Sequence, residues 1–298
     1  MKRHNSRNIK SSLVAYSFIA PSFIMLLCFG LIPLAFSLFV SLTDWNYTKG
    51  FGNWDFIWLD NFINLWKDEW FLASVKNTLV YTVVTVPITI LLSLGIAAMI
   101  QDYCNAHFSG TIRIAMYMPR ICNIVASSAV WMALFSSYGP FSQAMRSLGW
   151  KNPPHWLADE TWALPSLMLV AVWMSLGYRI FIYSASLQSI PDDLYEAADI
   201  DGATRTQKFW NITVPMLRPT TFFLTITGII GSFKSFGTVN VMTQGGPGYS
   251  TYTLVYYIYK TAFSYYRMGY ASAVAMILFV MLLFVTLVQW RHNNHKGA

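Results

Sequence analysis

The chain has 298 residues, 55% of them hydrophobic and only 11% charged, with a formal net charge of +7. Soluble domains carry about 25% charged residues, so the composition argues against a soluble enzyme and for a membrane protein. The positive balance needs no nucleic acid, because basic tails facing an anionic leaflet account for it.

In chain order, the tail at 1–12 holds Lys2, Arg3, Arg7 and Lys10. No acidic or basic residue then occurs from Ser11 to Thr43, from Asn77 to Gln101, from Ile121 to Met145, or from Met268 to Trp290. About 20 apolar residues cross roughly 30 Å of hydrocarbon, and each run is long enough. Two further runs carry one internal cation each, Arg179 and Lys234. Six spans are therefore expected, at 13–41, 74–101, 113–137, 162–187, 220–243 and 267–290. The first is over-long and holds Pro21 and Pro33, so it is expected to kink or to begin as a surface segment. It is also too long for a signal-peptide core and lacks a cleavage pattern. Arg113 and Arg120 blur the start of the third.

The connection at 42–73 is net acidic, with Asp44, Asp55, Asp60, Asp68 and Glu69 against Lys49 and Lys67. Cationic residues favour the cytoplasmic side, and the C-terminal tail adds Arg291 and Lys296. The expected architecture is an all-α polytopic membrane protein with six transmembrane helices, one domain over 1–298 and both termini cytoplasmic. The segment 188–219 then faces the cytoplasm as well. Cys28, Cys104 and Cys122 lie in or near the membrane without CxxC spacing, so neither a disulfide nor a metal site is expected. No cofactor is expected either.

The 42–73 loop carries Trp45, Tyr47, Phe51, Trp54, Phe56, Trp58, Phe62, Trp66 and Trp70. Such rings suit the membrane interface; a second reading offers them to a sugar or a docking protein. Gly139-Pro140 and Asn152-Pro153-Pro154 are turn signals in the loop at 138–161. Gly245-Gly246-Pro247-Gly248 forces a sharp turn, and the run from Thr253 to Tyr259 is expected along the outer face.

The segment LYEAADIDGATRTQKFWNITVPMLRP, 194–219, is too short and too charged to span. Pro191 with Asp192 and Asp193 starts a helix, where carboxylates complement the positive dipole end. Asp201-Gly202 ends it. Thr204-Arg205-Thr206-Gln207 matches a capping box for a second helix that stops near Val214-Pro215. Leu194, Ala197, Ala198 and Asp201 share one face of the first helix, where small residues let a partner approach closely. A plain solvated connection is the alternative.

Glu196-Ala197-Ala198, Gly202, Ile212 and Pro215 resemble the EAA loop of ABC importer permeases, E-A-A-x3-G-x9-I-x-L-P, with Val214 in place of leucine. The run Leu187–Tyr195, Met242-Thr243-Gln244-Gly245-Gly246-Pro247, Gly269–Ala273, and Arg113 with Pro119 resemble the carbohydrate-uptake branch. The match covers nearly the whole chain, and it is similar to the first of the two permease subunits of a maltose-type importer. The resemblance implies the type I importer fold in a bacterial cytoplasmic membrane. It implies a second homologous permease, two cytoplasmic ATPases and an extracytoplasmic binding protein that delivers a saccharide. It makes 191–202 the coupling helix, with Glu196, Ala197, Ala198, Asp201, Gly202, Ile212 and Pro215 as ATPase-coupling residues. It places Ser175, Tyr178, Gly228, Gly231, Ser232 and Ser235 on the substrate pathway, where hydroxyls and a ring suit a sugar. Small and hydroxyl residues also serve ordinary span packing.

Arg179 and Lys234 sit inside spans, where ionisable residues suggest function. An acidic sugar, a phosphate ester or a non-sugar cargo is the alternative substrate; the resemblance itself implies a structural role for Lys234, and Arg179 could snorkel. Catalysis by this chain is not expected. It has no GxxxxGK[ST] phosphate loop, and its five His, at 4, 107, 155, 292 and 295, lie in tails or loops.

Overall fold

The computed structural model describes residues 4–103 and 106–294. Cys104, Lys2, Arg3 and Lys296 lie outside the described residues. The helices are α1 His4–Leu26, α2 Ile32–Ser41, α3 Asp60–Leu65, α4 Glu69–Tyr103, α5 Ala106–Ile121, α6 Ile124–Leu134, α7 Pro140–Ser147 and α8 Ala163–Leu187. They continue with α9 Asp192–Ile200, α10 Arg205–Lys208, α11 Val214–Met216, α12 Arg218–Phe233, α13 Gly237–Met242, α14 Leu254–Tyr259 and α15 Met268–Asn294. Among the described residues the only β pairing is one isolated bridge, Thr43 to Phe56.

Among the described residues, five segments are long and apolar enough to cross a membrane: Val14–Ser41, Glu69–Gln101, Ala163–Leu187, Arg218–Met242 and Met268–Arg291. The remaining expected span, 113–137, is instead two helices, α5 and α6, neither of which alone reaches the roughly 20 residues a crossing needs. Asn123 makes the break: its Oδ1 accepts from the Val125 amide at 2.8 Å and so caps a new helix. The expected span at 220–243 is also interrupted, between Phe233 and Gly237.

The first span stays helical through Pro21 and passes Pro33 by a π turn at Leu27–Leu31, in which the Ile32 amide donates to the Leu27 carbonyl. Proline lacks an amide proton and crowds the carbonyl four residues back; the wider turn just before it relieves that crowding. The same device precedes Pro215, where the Val214 amide donates to the Phe209 carbonyl. The second helix of the 194–219 segment is therefore continuous from Arg205 to Met216.

The chain divides into two compact units, Met1–Lys67 with Ile258–Ile277, and Asp68–Tyr257 with Leu278–Ala298. In the first, the loop after α2 folds into an arch: Asp44 donates its amide to the Asp55 carbonyl and Ile57 to the Leu42 carbonyl. The buried Asn61 amide donates to the Ser41 and Thr43 carbonyls at 2.8 and 2.9 Å. Trp45, Phe51 and Trp54 pack edge to face, joined by Phe36 and Phe39 of α2. The Asp55 amide and Lys49 hold the Asp44 carboxyl below the usual carboxylate range.

In the second unit the core is one face of α4 (Val86, Ile90, Leu94, Ala97, Ile100) against Ile180, Tyr183 and Leu187 of α8, with Leu217 and Leu224. The spacings of three and four are those of a helix face. A hydroxyl stripe runs along α4: Ser74, Thr78, Thr82, Thr85, Thr89 and Ser93 are all buried. Each donates to a carbonyl three or four residues back in its own helix, at 2.6 to 3.1 Å. At Gly177 of α8 an added Cβ would overlap the Met116 carbonyl of α5, so glycine permits this backbone approach. The run 253–259, expected along the outer face, instead forms α14 with Leu254, Tyr256 and Tyr257 buried. Its polar handles find partners inside: the Tyr256 hydroxyl donates to the Gln244 carbonyl at 2.6 Å, and the Tyr257 hydroxyl to Asp68.

Candidate translocation cavity and coupling segment

A cavity of about 480 Å³ opens among α4, α8, α12 and the two helix breaks. Ser175, Tyr178, Gly228, Gly231, Ser232 and Ser235, the six expected pathway residues, all line it. Helical spacing explains most of the grouping, since 175 and 178 on α8, and 228, 231 and 232 on α12, recur at helical intervals, while Ser235 lies in the break after α12. The breaks bring the rest. Arg120 lies in the last turn of α5 and Ile124 begins α6, while Lys234 follows α12 and Gly237 begins α13. The packing of these pieces is close: a Cβ on Gly237 would lie 2.7 Å from Ile124 Cδ1.

Hydroxyls face one another across the cavity wall. Thr85 and Ser232 lie 3.4 Å apart, and the Ser235 hydroxyl donates to the Tyr81 oxygen at 3.3 Å. The Arg120 guanidinium stands 5.9 Å from the centre of the Tyr178 ring, within cation–π range. Arg179 is 9% exposed. Its Nη1 donates to the Ser175 carbonyl at 3.3 Å, and its Nε has no partner.

The 194–219 segment is built as its residues predict. Pro191 is the N-cap of α9, and Asp192 and Asp193 occupy its first turn. Gly202 has φ +72°; the Ala203 amide donates to the Ala198 carbonyl and the Gly202 amide to that of Asp199. This Schellman turn needs a left-handed residue, which glycine adopts without strain. The reciprocal capping box of Thr204 and Gln207 is present, and Lys208 Nζ meets Asp199 Oδ1 at 2.7 Å across the bend.

No residue of α9 is buried. Glu196, Ala197 and Asp201 are exposed and Ala198 half-buried, while Leu194 and Ile200 are 41% and 88% exposed. The opposite side is anchored. The Tyr195 hydroxyl bonds that of Thr213 at 2.9 Å, and Tyr195, Phe209, Ile212 and Val214 pack on the α4–α8 core. Pro215 is half-buried at the start of α11. The Gln188 amide, with its oxygen toward Arg113 of α5, accepts at 2.7 Å. Two further bonds join the helices on either side of the segment: Tyr183 to Thr221 at 3.0 Å, and Thr220 to Ser186 at 2.9 Å.

The model of binding-protein-dependent transport system inner membrane components matches residues 66–294. This chain belongs to that family. The permease is 34% identical over 277 residues to the lactose transport system permease protein LacF of Rhizobium radiobacter, covering 92% of this chain and 91% of LacF. It is 35% identical over 297 residues to the probable ABC transporter permease protein YesP of Bacillus subtilis, covering 97% and 94%. The sn-glycerol-3-phosphate transport system permease protein UgpA of Agrobacterium fabrum is 32% identical over 286 residues, covering 94% of each chain. A chain in the crystal structure of a bacterial alginate ABC transporter, in complex with an alginate pentasaccharide-bound periplasmic protein, shares the fold. Its TM-score is 0.79 at 24% identity, covering 95% of the permease and 94% of that chain. The permease is thus a non-catalytic membrane subunit of an ABC transporter.

Five polar or charged cavity residues escaped the sequence reading: Tyr81, Thr85, Arg120, Thr227 and Thr238. The α4 pair had a signal, hydroxyls recurring at helical spacing through an apolar run. Arg120 had none, because nothing near it in the sequence says that the end of α5 borders the cavity.

Proposed function

We propose that this permease forms half of the pathway by which a saccharide, delivered by an extracytoplasmic binding protein, enters the cell. A second, homologous permease completes the pathway. Two cytoplasmic ATPases grip one coupling helix from each. The observation that carries the reading is the single cavity holding all six pathway residues, with hydroxyls for sugar oxygens and Tyr178 for a C–H face. The sugar and polyol-phosphate names of LacF and UgpA support the same substrate class.

The cytoplasmic end of the mechanism is α9. Its exposed face, with Glu196, Ala197 and Asp201, docks in the ATPase, and Gly202 sets the bend. Closure of the ATPases moves α9; Tyr195, Phe209 and Ile212 pass that motion to the α4–α8 core, and hence to the cavity walls. This is alternating access by rigid-body movement.

Co-purification of the assembled importer with its ATPase tests the reading, before and after Glu196→Lys and Gly202→Val. We expect either change to abolish ATPase capture or ATP-driven uptake while the permease stays in the membrane. Intact assembly and uptake in both variants would remove the coupling role.

A further inference from the structure

We infer that the cavity is built for an acidic saccharide, one bearing a carboxylate or phosphate, and that Arg179 is its specificity residue; this rests on the pathway reading above. Three cations line the cavity, Arg120, Arg179 and Lys234, and no carboxylate does. The helices that supply Arg179 and Lys234 hold no Asp or Glu from Ala163 to Leu187 or from Arg218 to Met242. No ion pair involving these three cations occurs among the described residues.

Arg179 is the decisive member because the residue is only 9% exposed and lies within the apolar helix Ala163–Leu187. A buried charge without a counter-ion is costly. Arg179 has little to offset that cost: one long bond to the Ser175 carbonyl, and an Nε with no partner. The site is also shaped around the guanidinium, since a Cβ on Gly228 would lie 2.7 Å from Nη2. A planar fork suits carboxylate and phosphate oxygens. Arg120 and Lys234 are exposed on the same cavity and add long-range attraction for an anion. The hydroxyls of Thr85, Ser232 and Ser235 serve the neutral part of the sugar, so both halves of an acidic sugar have partners.

The test uses the complete importer in proteoliposomes: both permeases, the ATPases and the binding protein. The probes are oligogalacturonides and hexose phosphates, each beside its neutral counterpart, the methyl ester or the free hexose. We expect acidic forms to be taken up at least about tenfold faster, the size of one charge-assisted hydrogen bond; whichever pair shows the preference distinguishes carboxylate from phosphate. Arg179→Gln should erase that preference in the assembled importer, and Arg179→Lys should keep part of it. If Arg179→Gln fails to assemble, Arg120→Gln, at an exposed position on the same wall, should reduce the preference in the same direction. Equal or faster uptake of the neutral forms overturns the inference, as does a preference that survives removal of Arg179, which would assign that cation to a carboxylate of the second permease. An assembled importer that moves neither form sinks the saccharide reading itself, a result distinct from equal uptake of both.

Discussion

At the scale of single residues, glycine carries more of the architecture than its size suggests. Gly177 sits where α8 crosses the α5 backbone, and because the obstacle is main chain, no side-chain shift relieves it. Gly177→Ala should destabilise the permease by about 1–3 kcal/mol, the usual cost of overpacking. A lowered midpoint of thermal unfolding in detergent would register it; an unchanged midpoint would mean α5 yields freely. Gly202 acts differently, having open space around it and a backbone angle that side chains resist. Its turn was legible in the sequence from Asp201-Gly202 followed by Thr204, since capping chemistry is local. The approach at Gly177 was not, because nothing near it in sequence says what crosses there. The six pathway positions were legible only through resemblance; helical spacing on α8 and α12 brings five of them to one cavity, and the break after α12 brings Ser235.

At the scale of elements, the proposed coupling segment is two short helices held to the long helices by one side only. Lys208 and Asp199 brace the bend, but Asp199 is largely exposed, and such a pair contributes about 0–1 kcal/mol. Tyr195 matters more, as it joins α9 both to Thr213 and to the core. Tyr195→Phe should lose about 1 kcal/mol with its hydrogen bond and leave uptake near normal. Tyr195→Ala should instead lower the sugar moved per ATP hydrolysed, because α9 would shift without dragging the core. Measured stoichiometry in proteoliposomes separates the two; equal stoichiometry in both would deny Tyr195 that role. The helix starts and stops here were readable from proline, acids and glycine. The break at Cys122-Asn123 was not: it lies in the uncharged stretch from Ile121 to Met145, and one asparagine side chain makes it.

At the scale of the whole molecule, sidedness decides whether the mechanism is possible. Ile200 on the coupling helix is 88% exposed and Trp58 on the aromatic arch 70% exposed. In a chain freed of Cys28, Cys104 and Cys122, cysteine at position 58 should react with a membrane-impermeant maleimide in intact cells. Cysteine at position 200 should react only after permeabilisation. Labelling at 200 from outside would invert the proposed orientation. The membrane class and three of the five long apolar helices followed from uncharged run length, since about 20 uncharged residues have few other destinations; the other two were read through one internal cation each.

The hydroxyl stripe of α4 has a mechanical meaning. Its six protons are held by carbonyls of its own helix, so a neighbour that turns against this face strands none of the stripe's own donors, and a stranded donor is what makes a buried polar contact expensive to break. The oxygens remain free to accept, as Thr78 does from the Leu254 amide at 2.9 Å. Such a surface behaves as a bearing rather than a latch, polar enough to wet a pathway and smooth enough to let its walls rotate.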